Sequence, residues 1–374
     1  MSNIYKKPII IDLGTSEIKL GFSGQDNPLL LSNYIGELKS NSTTSDTQKK
    51  FYISKECDSI PAENLLIRNT MEYGAFKNDD YIPSVFNYIY TNLSIKPDEI
   101  KEHPLLISEP IHNIDKNSET ISEILFEKFG VPSLVFGSQP VLSFFSTSKS
   151  TGAILESGDA ITQCCVCYEG FLIKSSCFRY NYGGSDVTKV LKNLIENNNN
   201  FKQKYDMKIF KNMKEKQCFY KTHEEQYKVK YYQTVISDYM LPDGSIIKVG
   251  NEKIIAPEIL FNNRLNYSDF PTFHEIIYNS IIKVDINIIQ KLYQNIILSG
   301  GNTLFYGMEN KMTKFIKKIA PGNATIEVKR CKNPQFSCWN GGNVISLLDS
   351  FKNLLVDKKE WNEQGRKIIH EKNI

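Results

Sequence analysis

The chain has 374 residues, and at about 150 residues per domain that length predicts two large domains, or two with insertions, in place of a single small module. Hydrophobic residues at 41%, charged residues at 23% and aromatics at 11% supply real cores and exclude wholesale disorder. The 45 Lys and Arg against 42 Asp and Glu leave +3, too small and too dispersed for phosphate-backbone recognition, so no nucleic-acid partner is expected.

The first strong element is PIIIDLGTSEIKLGFSG: a buried-type apolar run, then Asp12, Gly14, Thr15 and Ser16 at a tight turn, then Ile18, Leu20 and Phe22. It reads as a β-hairpin with a carboxylate at its tip. The apolar run before it is too short for a signal peptide. Residues 39–50, KSNSTTSDTQKK, are almost wholly polar and predict an exposed mobile loop. Helices follow over Ile82 to Leu93, with Val85, Phe86, Ile89, Tyr90 and Leu93 on one stripe, and over Ser118 to Phe129, stopping at Gly130.

A related hairpin returns at GAILESGDAITQCCVCYEG, where Glu156, Gly158 and Asp159 fill the turn between strands ending at Leu155 and beginning at Ile161. The offset, 156 − 12 = 144, is about a domain's length, as an internal duplication would give. Cys164, Cys165 and Cys167 lie in a predicted strand entering a Tyr-Glu-Gly turn; a metal site and ordinary sheet cysteines both fit, although adjacent strand side chains point to opposite faces. The eight cysteines (Cys57, Cys177, Cys218, Cys331 and Cys338 complete the set) show no even spacing, which fits a reducing cytosol. A helix begins at Ser185, carries Val187, Val190, Leu191, Leu194 and Ile195, and ends in the polar run Asn197 to Asn200. Phe261 to Phe273 reads as a second irregular loop before a helix bearing Ile276, Ile277, Ile281 and Ile282. In IILSGGNTLFYG a buried strand runs into Ser299, Gly300, Gly301 and Asn302, with a helix expected next. No apolar run approaches the roughly 20 residues that span a bilayer, so membrane insertion is not expected.

Small residues in tight turns let backbone N–H groups converge on a phosphate, and Gly14-Thr15-Ser16 and Gly158-Asp159-Ala160 both qualify. Asp12, Glu156 and Asp159 are either solvated turn carboxylates or carboxylates facing a divalent cation that binds phosphates through water. The Gly300-Gly301 turn lets a flat ligand approach the backbone, but it lacks the P-loop lysine spacing.

Together these segments resemble the actin family over nearly the whole chain. LLISEPIHNIDKNSETISEILFEKFGVPSLVFGSQPVLSFF, MKEKQCF, YMLPDGSIIKVGNE, IYNSIIKVDI, LSGGNTLFYG and FSCWNGGNVISLL each look like the family's equivalent stretch. The resemblance implies an α/β fold of the duplicated ribonuclease-H-like ATPase type shared by actin and Hsp70, with two large domains around a nucleotide cleft. The first would cover 1–140, with a small inserted subdomain at about 34–70. The second would cover 141–336, with an inserted subdomain at about 185–270, and residues 337–374 would return to the first domain as helices.

Carried over by position, Gly14, Thr15, Ser16 and Lys19 contact phosphates, facing Gly158, Asp159 and Ala160. Asp12, Glu156 and Asp159 surround the water shell of Mg2+ or Ca2+. Gly184, Lys214, Glu215, Gly300, Gly301, Asn302 and Phe305 fall where the family holds the adenosine of ATP or ADP, and Gln139 matches its water-positioning glutamine. Departures are equally specific. Glu156 stands where actin usually has Asp, Gln163 where it has a histidine near the attacking water, and Ala160 where it has Gly. Gln335 and Phe336 replace a lysine and tyrosine beside the adenine, Tyr73 replaces a histidine that is usually methylated, and both assembly loops have lost their usual sequence.

The resemblance therefore implies a structural, nucleotide-clamped subunit of a cytoskeletal assembly linked to actin or microtubules, located in the cytoplasm and cytoskeleton, whose partners are other actin-family or cytoskeletal subunits. Hydrolysis is expected to be weak or absent and self-polymerisation poor. The alternative is a divergent conventional actin that forms filaments by itself. A sugar or acetate kinase of the same superfamily is disfavoured, because those enzymes lack the stretches quoted above.

Overall fold

The computed structural model describes residues 6–39, 51–198, 205–221, 236–262, 265 and 269–374. The chain divides into two compact units, one of Met1–Lys149 with Phe336–Ile374, the other of Ser150–Gln335.

The first unit is built on a six-stranded sheet in the order Val356–Asp357, Ser133–Ser138, Leu105–Glu109, Ile9–Leu13, Glu17–Phe22, Leu29–Ser32. The last three strands form an antiparallel meander, whereas Ile9–Leu13, Leu105–Glu109 and Ser133–Ser138 run parallel. The second unit repeats this succession. Its five-stranded sheet runs Phe171–Tyr180, Thr162–Tyr168, Gly152–Ser157, Ile296–Ser299, Val328–Arg330, again an antiparallel meander followed by parallel neighbours. The registers correspond as well: Asp12 pairs with Lys19 in one hairpin and Glu156 with Gln163 in the other, both at the offset of 144 read from the sequence.

Ile9, Ile10 and Ile11 are at most 1% exposed although successive strand side chains face opposite ways, so both faces of this sheet are covered. Ile9, Ile11 and Leu13 pack with Val85, Phe86, Leu105 and Phe126, while Ile10 packs with Leu106, Val135, Leu142 and Trp339. Burying each such isoleucine contributes roughly 1.5–3 kcal/mol, which is why an unbroken apolar run makes a central strand. The second unit's core gathers Leu155, Cys164, Val166, Val187, Leu191, Phe210, Phe273 and Leu298.

The expected helices form, with shifted ends. Tyr81–Asn92 buries Val85, Phe86 and Ile89. The helix expected from Ser118 begins at Asp115, since its first turn is polar and exposed and leaves no apolar period to read; it runs on through a π-turn, Leu125–Phe129, to Gly130 at φ 68°. Gly184–Asn198 and Phe273–Ile281 follow as helices. Glu156 belongs to its strand, not to the turn, and the partner strand starts at Thr162, because Glu156 is flanked in register by Gln163 and Ser299. After Ile296–Ser299 the chain makes only a 3-10 turn, Gly301–Thr303; the α-helix waits until Met308–Ile319, beyond Gly307 at φ 79°.

Cys164, Cys165 and Cys167 are buried in Thr162–Tyr168, which ends in a Glu169-Gly170 turn with φ of 50° and 86°, both positive as a type I′ hairpin turn requires. Burial pushes the Cys164 thiol up to about 12, and all eight cysteines are thiols outside any disulfide. Among the described residues no group of three or more His, Cys, Asp or Glu side chains gathers at ligand geometry, and no helix is long and apolar enough to cross a membrane. The polar stretch 40–50, Asn199 and Asn200, and residues 263–264 and 266–268 of the second loop lie outside the described residues. Where that loop re-enters the fold, Phe270 stacks on Tyr182 at 5.4 Å and 10°.

Candidate functional site

In the first unit the hairpin Ile9–Leu13 and Glu17–Phe22 brings Asp12 and Lys19 side by side, Lys19 Nζ lying 3.5 Å from Asp12 Oδ2. Asp12 is 5% exposed, and its Oδ1 accepts from Ser108 Oγ at 2.7 Å. Ser108 Oγ in turn accepts from the Leu13 N–H at 3.0 Å. Gln139 is the first residue of the helix Gln139–Phe145, and its Nε2 lies 3.4 Å from each of Asp12 Oδ1, Leu13 O and Ser108 Oγ. The expected set Asp12, Lys19 and Gln139 is therefore one network. Burial pulls the Lys19 ammonium down, but Asp12 and Glu17 more than offset this and its pKa lies above the ordinary lysine value. Gly14, Thr15 and Ser16 form the half-buried turn beside it, pinned by Asn33, whose Nδ2 donates to Gly14 O at 2.8 Å and whose N–H donates to Ser16 O at 2.9 Å. A Cβ at Gly14 would meet Glu17 O at 2.5 Å, so glycine alone permits this turn.

In the second unit the same strand positions are filled by Glu156, Ser299 and Gln163. Glu156 is 9% exposed, with Ser299 Oγ donating to its Oε2 at 3.5 Å. Gly158 N–H donates to Ile161 O at 2.9 Å to close the turn, and Gly184 and Ser185 N–H donate to Gly158 O and Asp159 O at 3.0 and 2.8 Å, seating the start of Gly184–Asn198 on it. Lys214, on the helix Met207–Gln217, is 6% exposed and donates from Nζ to Gly184 O at 2.8 Å. Burial holds this ammonium below the usual lysine range, opposed by Asp159 and Glu215. Asn302 Nδ2 donates to Ser157 Oγ at 3.0 Å, while Asn302 Oδ1 is buried with no hydrogen-bond partner among the described residues.

That orphaned acceptor tests whether an adenosine fits. A Cβ at Gly184 would stand 3.4 Å from Asn302 Oδ1 and 3.0 Å from Lys214 Nζ, so acceptor, ammonium and a side-chain-free backbone converge. At Gly301 an added Cβ would meet nothing within 4 Å, which leaves room for a flat group against the chain. An unpaired buried acceptor costs about 1–3 kcal/mol, and the hydroxyl or amino donors of a nucleoside would remove that cost. The residues fit.

Two expected residues sit differently. Phe305 is 8% exposed in the core, its ring edge-on to Tyr220 at 5.9 Å. The Glu215 side chain is 54% exposed beside Lys211 at 4.0 Å and reaches Lys214 only through its charge. Ser108, Ser157 and Asn33 join the site only in the structure, and Ser299, placed in its turn by the sequence, gains Glu156 as a partner. A signal existed for the serines: each is a polar residue at or next to the carboxyl end of a buried strand, where ligand sites of α/β sheets gather.

Against known protein families, the model described as Actin matches residues 5–374.

Proposed function

The chain belongs to the actin family, whose members generally bind ATP or ADP with a divalent cation, and from that premise we propose that this protein binds Mg-ATP. We read its role as a structural, nucleotide-clamped subunit of a cytoskeletal assembly in the cytoplasm, hydrolysing ATP weakly or not at all. The observation that carries the reading is the repeated strand-end constellation, Asp12 with Ser108 and Lys19, then Glu156 with Ser299 and Gln163, joined in the second unit by the orphaned Asn302 acceptor.

A bound divalent cation neutralises phosphate charge through its water shell. For that role the chain supplies Asp12, Glu156 and Asp159. The turns at Gly14-Thr15-Ser16 and Gly158-Asp159-Ala160 supply backbone donors, and Lys19, held charged by Asp12, supplies a counter-ion for phosphate. Lys214, Gly184, Gly300, Gly301 and Asn302 supply the surface for the nucleoside. Gln139 holds an amide where a water would be oriented.

Hydrolysis is weakened at Gln163, 2% exposed opposite Glu156. A neutral amide orients water but accepts no proton at neutral pH, so general-base help at this position is absent.

The second reading, a conventional actin that forms filaments alone, draws on the exposure of Phe171 (78%) and Ile286 (81%), which leaves apolar surface on the second unit for a neighbour.

Thermal unfolding with and without Mg-ATP tests the binding. Ligand at 100 times its dissociation constant stabilises a fold by about 2.7 kcal/mol, a shift of several degrees. The parent should show it and Asp159→Ala should lose it. A parent whose melting temperature ignores Mg-ATP would sink the proposal.

A further inference from the structure

In the second unit the helices Phe273–Ile281 and Met308–Ile319 meet over an aromatic box. Phe261 and Phe315 stand 5.3 Å apart between ring centroids, and the half-buried imidazole of His274 closes on both, stacked on Phe261 at 6.0 Å and 9° and tilted on Phe315 at 4.8 Å. Cations already use these rings. Lys311 Nζ lies 4.6 Å from the Tyr220 centroid, 5.2 Å from that of Phe261 and 5.7 Å from that of Phe315, and Lys318 Nζ lies 4.6 Å from Phe315. Each draws on the negative ring face, and Lys311 is also paired with Glu258.

His274 is the second residue of its helix, at the positive end of the helix dipole, where a cation is disfavoured. Thr272, just before the helix, donates from Oγ1 to Glu275 Oε2 at 2.7 Å and lies 3.0 Å from His274 Nδ1. The charged groups around the ring are Glu275 on its own helix, Lys311 and Lys318 on the facing helix with Lys314 beside Lys311, and Glu258 on the turn Ala256–Leu260. Burial lowers the imidazole pKa below its ordinary value; Glu275 opposes this and Lys318 adds to it. The unfolded chain therefore takes up this proton first as pH falls through about 6.5, and the folded box loses stability from there downward.

We propose that His274 is a proton-sensitive latch between these two helices: neutral, it fills the space against Phe261 and Phe315; protonated, it brings a third cation to rings that Lys311 and Lys318 already share, and the helices part. None of these residues is assigned to the nucleotide site, so the latch stands whether or not nucleotide binds.

Amide hydrogen exchange of the full-length protein, corrected for the intrinsic effect of pH, reads the opening of each helix. From about pH 7.5 to about pH 5.5 the opening equilibrium of residues 273–281 and 308–319 should rise several-fold, up to the roughly tenfold ceiling set by an unfolded histidine pKa near 6.5. Tyr81–Asn92, in the first unit, should not follow. His274→Phe keeps a ring in the box and removes the proton, so its two helices should open equally at both pH values. Lys318→Met removes a neighbouring cation and should shrink the rise. No acid-dependent opening in the parent's two helices, or the parent's rise retained in His274→Phe, overturns the latch; a purely structural role for His274 would alter opening by the same factor at both pH values, which also overturns it. Should His274→Phe fail to fold, His274→Gln, which also carries no titrating proton, decides.

Discussion

In the proposed site, Gln163 is where holding a nucleotide and consuming it would part. In the first hairpin the residue opposite the carboxylate is Lys19, a fixed cation; in the second it is Gln163, which is neither cation nor base. Loss of general-base help typically costs about 10² to 10⁴ in rate. Glu156 acts in the same direction, because its side chain is one carbon–carbon bond of about 1.5 Å longer than aspartate's and a misplacement near 1 Å can cost about 10²-fold. The expected outcome is that Gln163→His raises single-turnover ATP hydrolysis by at least about tenfold while nucleotide affinity stays the same. A parent that already hydrolyses as fast as a conventional actin, or a variant that gains nothing, would remove Gln163 as the cause.

The strand ends and turns show what each element contributes. Gly300 stands at φ 86° with a hypothetical Cβ only 2.2 Å from Ser157 O, so Gly300→Ala combines a backbone conformation costing about 1–2 kcal/mol with a backbone clash that no rotamer relieves. Urea unfolding should show it as strongly destabilised. Gly301→Ala, with open space at its Cβ, should unfold as the parent does and yet bind Mg-ATP more weakly, because the methyl fills the surface offered to the nucleoside. Equal loss of stability in both would mean the two glycines merely serve the turn. Much of this was legible in the sequence: alternation and small turn residues marked both hairpins, and the 144-residue offset marked the repeat. What was not legible depended on distance along the chain. Nothing local to LLISEP indicates that Glu109 meets Asn373, 264 residues away, and the polar turn at Asp115 gave no period from which to place a helix start. Phe305 looked like a ligand-facing ring by position, but only three-dimensional packing reveals that Tyr220 occupies its neighbourhood.

As a whole, the protein is proposed to be a clamped subunit that does not assemble alone. A subunit contact needs a desolvated anchor cluster at its centre, and the stretch KSNSTTSDTQKK offers a neighbour no apolar side chain, while Arg264, Asn266 and Asp269 interrupt the second loop. Pure protein in magnesium and salt should therefore form no long filaments by electron microscopy, although short oligomers or binding to a filament end are compatible with the proposal. Long filaments would favour the conventional-actin reading instead. Whether this chain holds ATP and keeps it is read by denaturing freshly purified protein and identifying the released nucleotide by chromatography. Adenine nucleotide should be released at close to one per chain, predominantly as ATP. Release of ADP in its place would contradict the claim of slow turnover, and release of no nucleotide would contradict the site.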